Sequence, residues 1–215
     1  MREVELKGVV ADAEGAARAA RAAGAQLQFA GRLEDRRYDT AGRTLAAKDH
    51  VLRLRIYRSA AGQRGKTGAD SGAPSMPAAA VRARLEFKGP TGFADGYKVR
   101  EEYATDASDP DELSRILDLL GYEVTREIDR DIEQYSLAGA IVRFERYPRM
   151  DVLAEVEGEP DAIERAIAAM GLERASFTTA RLPDFVREFE ARTGERAAIC
   201  DRELDGDYRY SSDDA

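Results

Sequence analysis

Two pairs of carboxylates stand two residues apart near opposite ends of the sequence, Glu3 and Glu5 in "REVELKG" and Glu155 and Glu157 in "LAEVEG". On an extended strand, residues i and i+2 share a face and lie about 6–7 Å apart. At that spacing two carboxylates can share one or two metal ions. Lys7 continues the first charged face, while Val4 and Leu6 take the other side. The same division into one charged and one apolar face returns in "LRLRIYR", "VRARLEFKGP" and "YKVREEY". Collected from these strands and the later ones, the cations are Lys7, Arg53, Arg55, Lys88, Arg100, Arg126 and Arg130. The carboxylates are Glu3, Glu5, Glu86, Glu102, Glu145, Glu155 and Glu157. A low-dielectric interior does not hold so many ions unpaired, because each uncompensated charge costs several kcal/mol. A polyanion bound with divalent cations resolves the set. Arg offers forked donors to phosphate oxygens, Lys a point charge, and Glu oxygens suit Mg²⁺ or Mn²⁺.

These faces need a scaffold that turns them toward one another. Alternation predicts strands in 26–39, 50–58, 81–88 and 97–105, and three more in "YEVTREIDRDIEQYSL", "AIVRFERY" and "DVLAEVEG". Asp12 caps a helix over 13–23 that Gly24 ends, and the Asp109-Pro110 signal starts another that runs to Gly121. Two further helices are expected over 161–170 and 183–192, each followed by glycine. Seven or eight strands with short connections suggest an antiparallel barrel or strongly curved sheet with helices outside. Each helix carries an apolar stripe that needs a sheet face to cover, so the charged strand faces are expected to point inward. Residues 59–80, rich in Gly, Ala, Ser and Pro, read as a flexible loop. The domain is assigned to 1–195, with 196–215 as a C-terminal tail.

With 43% apolar residues and no Trp, 215 residues are enough for one ordinary core. A net charge of −8 argues against non-specific nucleic-acid binding, without excluding a local basic cavity. Cys200 is alone, so neither a disulfide framework nor a cysteine-based zinc site is expected, and it reads as a bystander thiol. No apolar run approaches the ~18 residues of a membrane span, and no signal peptide is recognised, so the expected location is cytoplasmic, with no membrane partner. His50, the one histidine, sits at a strand start beside Lys48 and Asp49 and reads as a surface residue. Glu86 and Lys98 read as structural ion-pair partners rather than ligands, and Tyr38, Tyr97, Tyr103 and Tyr135 as core or rim packing.

Taken in order, "EVELK", "LRLR", "LEFKGP", "KVREE", "LLGYEV" and "AEVEG" resemble the signatures of the CYTH or triphosphate tunnel metalloenzymes. That family includes class IV adenylate cyclases, thiamine triphosphatases and inorganic triphosphatases. The similarity covers roughly residues 2–171, with a family-like helix beyond. It implies an α+β fold: an eight-stranded antiparallel β-barrel, the triphosphate tunnel, with helices packed outside. In that frame Lys7, Arg53, Arg55, Lys88, Arg100 and Arg126 or Arg130 bind phosphate oxygens. Glu3, Glu5, Glu102, Glu145, Glu155 and Glu157 hold one or two divalent ions, Mg²⁺ or Mn²⁺, and Glu3, Glu5 and Lys7 form the catalytic signature. Parity puts Arg126 and Arg130 on one face. Glu145 stands where an Asp is more usual, and Arg181 or Arg187 would replace a late tunnel lysine that has no equivalent here. Only Met1 and Arg2 precede the signature, so the His-Phe pair that class IV cyclases often carry has no counterpart.

The leading expectation is therefore a divalent-metal-dependent phosphohydrolase acting on tripolyphosphate, thiamine triphosphate or a nucleoside triphosphate. A class IV adenylate cyclase is the alternative, and a non-catalytic polyphosphate or nucleotide binder the second. The partner is a small-molecule triphosphate, not nucleic acid. Relatives allow a homodimer.

Overall fold

The structure, a computed structural model, describes residues 2–59, 81–206 and 208, with the backbone alone at residues 2 and 3. The elements are β1 (Arg2–Val9), α1 (Ala13–Ala22), β2 (Gln26–Thr40), β3 (Val51–Ser59), β4 (Val81–Lys88), β5 (Gly92–Ala94) and β6 (Tyr97–Ala107). They continue with α2 (Pro110–Leu119), β7 (Tyr122–Leu137), β8 (Ala140–Arg146), β9 (Leu153–Glu157), α3 (Pro160–Ala169), β10 (Phe177–Thr178), α4 (Leu182–Thr193) and α5 (Asp201–Asp205).

Eight long strands lie side by side in the order β1-β9-β8-β7-β2-β3-β4-β6, and β6 pairs back onto β1. Every pairing is antiparallel, and the closing register sets Glu3 opposite Arg100 and Glu5 opposite Lys98. The result is a closed eight-stranded antiparallel barrel with helices outside, as expected. The two additional strands, β5 and β10, are two or three residues long, too short to show alternation. At β10 the backbone crosses Gly8 so closely that a Cβ there would meet the Ser176 carbonyl oxygen at 2.5 Å.

The helices begin where local chemistry places them. Asp12 accepts a 2.7 Å hydrogen bond from the Gly15 amide, and Asp109 accepts from the amides of Asp111 and Glu112. α1 buries only alanines, Ala13, Ala16, Ala17 and Ala20, which bring it close to the sheet. Beside it α3 inserts Ile163 and Ile167 among Leu6, Val142, Phe144 and Val156, the outward apolar faces of β1, β8 and β9. Leu117 of α2 covers Leu54, Ile56 and Ala83 of β3 and β4. Those packed outer faces are the reason the charged faces turn inward.

α4 behaves differently: Leu182 and Phe185 pack on Ile128, Tyr147, Leu153 and Ile199. The two residues leading into it, Ala180 and Arg181, and its first two, Leu182 and Pro183, line the barrel interior. The segment set apart as a tail begins inside this packing, because Ala197, Ala198, Ile199 and Cys200 are buried and Ala198 bridges to Arg149. Of the expected flexible loop over 59–80, Ser59 is the last residue of β3, and residues 60–80 lie outside the described residues. Among the described residues, no helix is long and apolar enough to cross a membrane.

Candidate active site

The barrel encloses a cavity of about 670 Å³. Its charged lining comprises twelve cations (Lys7, Arg37, Arg53, Arg55, Arg82, Arg84, Lys88, Lys98, Arg100, Arg130, Arg143, Arg181). Eight carboxylates oppose them (Glu5, Asp35, Asp39, Asp49, Glu86, Glu102, Glu155, Glu157), so among the described residues cations outnumber carboxylates in the lining by four, or by three with Glu145 behind the wall included. The whole chain carries −8, so this lining has the opposite sign from the molecule.

Cross-strand register explains how the charges meet. Lys7 faces Glu155 across β1 and β9, and Arg143 faces the same Glu155 across β8 and β9. Lys7 Nζ lies 2.7 Å from Glu155 and 3.6 Å from Glu145, and Arg143 Nη1 donates to Glu155 at 2.5 Å. Lys98 donates to Glu5, and Lys88 lies 3.6 Å from Glu102. Around the wall, Arg53 pairs with Glu86 through Nε, at 2.9 Å, and Nη2. Asp35 accepts from Arg53 at 3.3 Å, from Arg55 at 2.8 and 3.0 Å, and from Arg130 at 3.0 Å. Glu145 closes the group, accepting from Arg130 Nε at 2.9 Å and from the Tyr147 hydroxyl at 2.7 Å.

These contacts keep the carboxylates ionised against burial, which works to raise their pKa values. Arg53 and Arg55 override burial at Glu86 and hold it down at about 2. Lys7 and Arg130 do the same at Glu145, also about 2. Asp35, ringed by Arg53, Arg55 and Arg130, and Glu155, held by Lys7 and Arg143, lie well below the ordinary carboxylate range. At Glu5, burial and the Glu155 charge push upward, but Lys98, Lys7 and Lys88 bring the net shift down.

Of the residues the sequence singled out, Glu5, Lys7, Arg53, Arg55, Lys88, Arg100, Glu102, Arg130, Glu155 and Glu157 line this one cavity. Glu3 lies in register with Arg100 and Glu101 with Arg2, which places position 3 on the barrel seam. Arg100 is anchored by backbone oxygens, donating from Nε to Gly89 at 2.7 Å and from Nη2 to Asp49 at 2.5 Å. Among the candidates whose side chains are described, two are not brought to the cavity wall. Glu145 is buried behind it, with both oxygens engaged by Arg130 and Tyr147. Arg126 shares a face with Ile128 and Arg130, but Leu182 and Phe185 cap Ile128, so Arg126 ends up in a second cavity beneath α4. That cavity of about 430 Å³ also holds Arg187, whereas Arg181 reaches the main one.

Glu86 and Lys98 form the ion pairs read for them. Tyr38, Tyr97 and Tyr135 are buried, while Tyr103 is exposed at the cavity rim. His50 also reaches the cavity lining, its ring edge-on to Phe87 at 5.1 Å.

Seven charged residues of the lining, Asp35, Arg37, Asp39, Asp49, Arg82, Arg84 and Arg143, are not among the inward candidates collected from the sequence. Arg143 sits two positions from Glu145 on β8, and the same parity argument would have found it. Asp35 and Arg37 alternate along β2 in "LEDRRYD", a run whose charges of both signs on both faces hid its parity.

Glu5, Glu155 and Glu157 suit a divalent ion: they are hard oxygen donors on one cavity wall, and Glu5 and Glu155 repel one another in a way a cation would relieve. Among the described residues, the one threesome of potential ligands within 4.8 Å lies elsewhere, at Glu127, Asp129 and Cys200. Its carboxylates are taken by Arg202 at 2.9 Å and Arg36 at 2.7 Å, and burial pushes the Cys200 thiol up to about 11. It has the character of a structural cluster.

A closed antiparallel barrel with helices outside and a cation-rich interior defines the class to which this protein belongs, the tunnel-type α+β barrels. The sequence matches the CYTH domain family over residues 1–196, and the chain is a member of that family. Solved structures share the fold. A putative adenylate cyclase from Vibrio parahaemolyticus is 20% identical, with 86% of this chain and 97% of that one covered at a TM-score of 0.64. A Pyrococcus horikoshii protein is 23% identical, covering 86% and 98% at 0.63. A putative adenylyl cyclase from Hippeastrum, described as having a dominant triphosphatase activity, is 16% identical, covering 92% and 98% at 0.56. No curated protein sequence matches the chain.

Proposed function

We propose that the protein is a divalent-metal-dependent phosphohydrolase that takes a small-molecule triphosphate into the barrel. The observation that carries this reading is the surplus of cations over carboxylates among the described residues of the barrel lining, in a chain that carries −8 overall. An interior of that sign is a site for a polyanion. Arg53, Arg55 and Arg130 present guanidiniums that match phosphate oxygens, and Lys7 and Lys88 add point charges. Glu5, Glu155 and Glu157, with Glu102 beside Lys88, would hold Mg²⁺ or Mn²⁺. Bound there, the ions would neutralise phosphate charge and orient an attacking water. The chain's own contribution is then positioning and charge stabilisation, with the guanidiniums fixed before the ligand arrives. Glu3 completes the acidic signature at the seam. Family membership and the Hippeastrum relative's description support hydrolysis.

The alternative, a class IV adenylate cyclase, draws support from the Vibrio relative's description. Incubation with tripolyphosphate, thiamine triphosphate and ATP, each with Mg²⁺ or Mn²⁺, separates the two. Orthophosphate release is expected. Cyclic AMP with pyrophosphate would replace the hydrolase by the cyclase, and binding without any product would reduce the site to a polyphosphate binder.

A further inference from the structure

Asp35 is fully buried in the barrel wall, and no motif singles it out. Its two oxygens accept four N–H bonds from three arginines that come from two strands on either side of β2. Arg55 grips it with Nε and Nη2 in a fork, Arg53 touches it with Nη1, and Arg130 with Nη2. Glu86 and Glu145 hold the other edges of Arg53 and Arg130. Each guanidinium is thereby fixed in plane and rotation. Arg130 keeps Nη1 buried with no hydrogen-bond partner among the described residues, a donor left for something else. An unpartnered buried donor is costly to a folded protein unless a ligand takes it.

We propose that Asp35 is a positioning residue for triphosphate binding, the shared anchor that sets Arg53, Arg55 and Arg130 as one rigid face for phosphate oxygens. The inference rests on the triphosphate reading. It has a consequence that charge alone does not. Simple Coulomb reasoning makes a buried anion beside a phosphate site unfavourable, so neutralising Asp35 ought to tighten polyanion binding. Positioning demands the reverse, because three freed guanidiniums must be ordered again at the ligand's expense.

The test is calorimetric titration of the full chain with tripolyphosphate in the absence of divalent ions, with folding checked by circular dichroism and thermal unfolding. Asp35→Asn, which keeps the shape and loses the charge, is expected to bind roughly 10- to 100-fold more weakly than wild type. Asp35→Glu, which keeps the charge and displaces it by a methylene, is expected to weaken binding as well. Equal or tighter binding by a folded Asp35→Asn protein would overturn the proposal while leaving the triphosphate reading standing. If wild type binds only with Mg²⁺ present, the same comparison is read in Mg²⁺; no tripolyphosphate binding by wild type in either condition would overturn the triphosphate reading and the inference with it. Wild type also provides a measurement independent of any variant: ¹⁵N resonances of the arginine Nε–H groups. Slow guanidinium rotation at Arg53, Arg55 and Arg130 before ligand is added is expected, and fast averaging there would overturn the proposal.

Discussion

Glu155→Gln should make the protein bind tripolyphosphate more tightly when no metal is present. In the ligand-free barrel Glu155 holds two cations, Lys7 at 2.7 Å and Arg143 at 2.5 Å. A phosphate group that recruits either one leaves Glu155 with a single cation, and because breaking a buried ion pair outright costs about 3–5 kcal/mol, that figure is the upper bound of the penalty. Lys7 keeps a second partner in Glu145 at 3.6 Å, which lowers the amount at stake. A divalent ion placed on Glu155 removes the penalty, so metal and triphosphate should bind cooperatively. A coupling of about 1–3 kcal/mol, roughly 5- to 150-fold in affinity, is the range expected. In Glu155→Gln there is no anion to leave short of a partner. Metal-free tripolyphosphate affinity should rise by a similar factor, magnesium should add little, and turnover should fall.

Titration calorimetry of both proteins, in chelator and in Mg²⁺ with the magnesium–tripolyphosphate equilibrium included, measures all four corners of the cycle. The variant should also melt lower, since Lys7 and Arg143 then face each other without their counter-ion. Equal wild-type affinity with and without magnesium would refute the exchange. So would a Glu155→Gln protein whose metal-free affinity is unchanged or weaker.

Three further outcomes follow from the same geometry. Glu5→Gln and Glu157→Gln should each abolish magnesium-dependent phosphate release while leaving the circular dichroism spectrum unchanged. Undiminished release in both would remove the metal assignment. Arg53→Ala breaks its contacts to Glu86 and Asp35 and removes a forked donor, so tripolyphosphate affinity should drop roughly 10- to 100-fold. Adenosine affinity should change far less, which competition binding can read. Acid should destabilise the fold in a defined window. Glu86 and Glu145 titrate near 2 when folded against an ordinary 4.5, so the unfolded chain takes up protons first as pH falls. Their stabilisation is complete above about 4.5 and is lost progressively toward 2. Urea midpoints between pH 5 and pH 2.5 should fall steeply for wild type and less steeply for Glu86→Gln, and parallel curves would contradict the assignment.

What could be read ahead of the structure depended on parity. Where a strand alternates cleanly, as at Glu5–Lys7, Arg53–Arg55 and Glu155–Glu157, one decision about which face is buried assigns every charge at once. The helices made that decision, because alanine and isoleucine stripes such as those of α1 and α3 must cover apolar strand faces. Parity fails in two ways here. In β2, "LEDRRYD" carries charge on both faces, so Asp35 is hidden although it lies at the centre of the guanidinium cluster. In β7, parity correctly groups Arg126 with Arg130, but it says nothing about depth along the barrel. A helix that enters one end, with Leu182 and Phe185 against Ile128, separates residues that share a face. Motif positions therefore tell which way a side chain points, whereas the partners that make it useful come from other strands. Glu145 shows the difference: its motif position suggested a metal ligand, yet its oxygens already bind Arg130 and Tyr147. Glu145 lies behind the cavity wall, where it serves the cations around it, whereas Glu5 and Glu155 line the cavity itself, where a phosphate and a divalent ion would compete for their lysine and arginine partners.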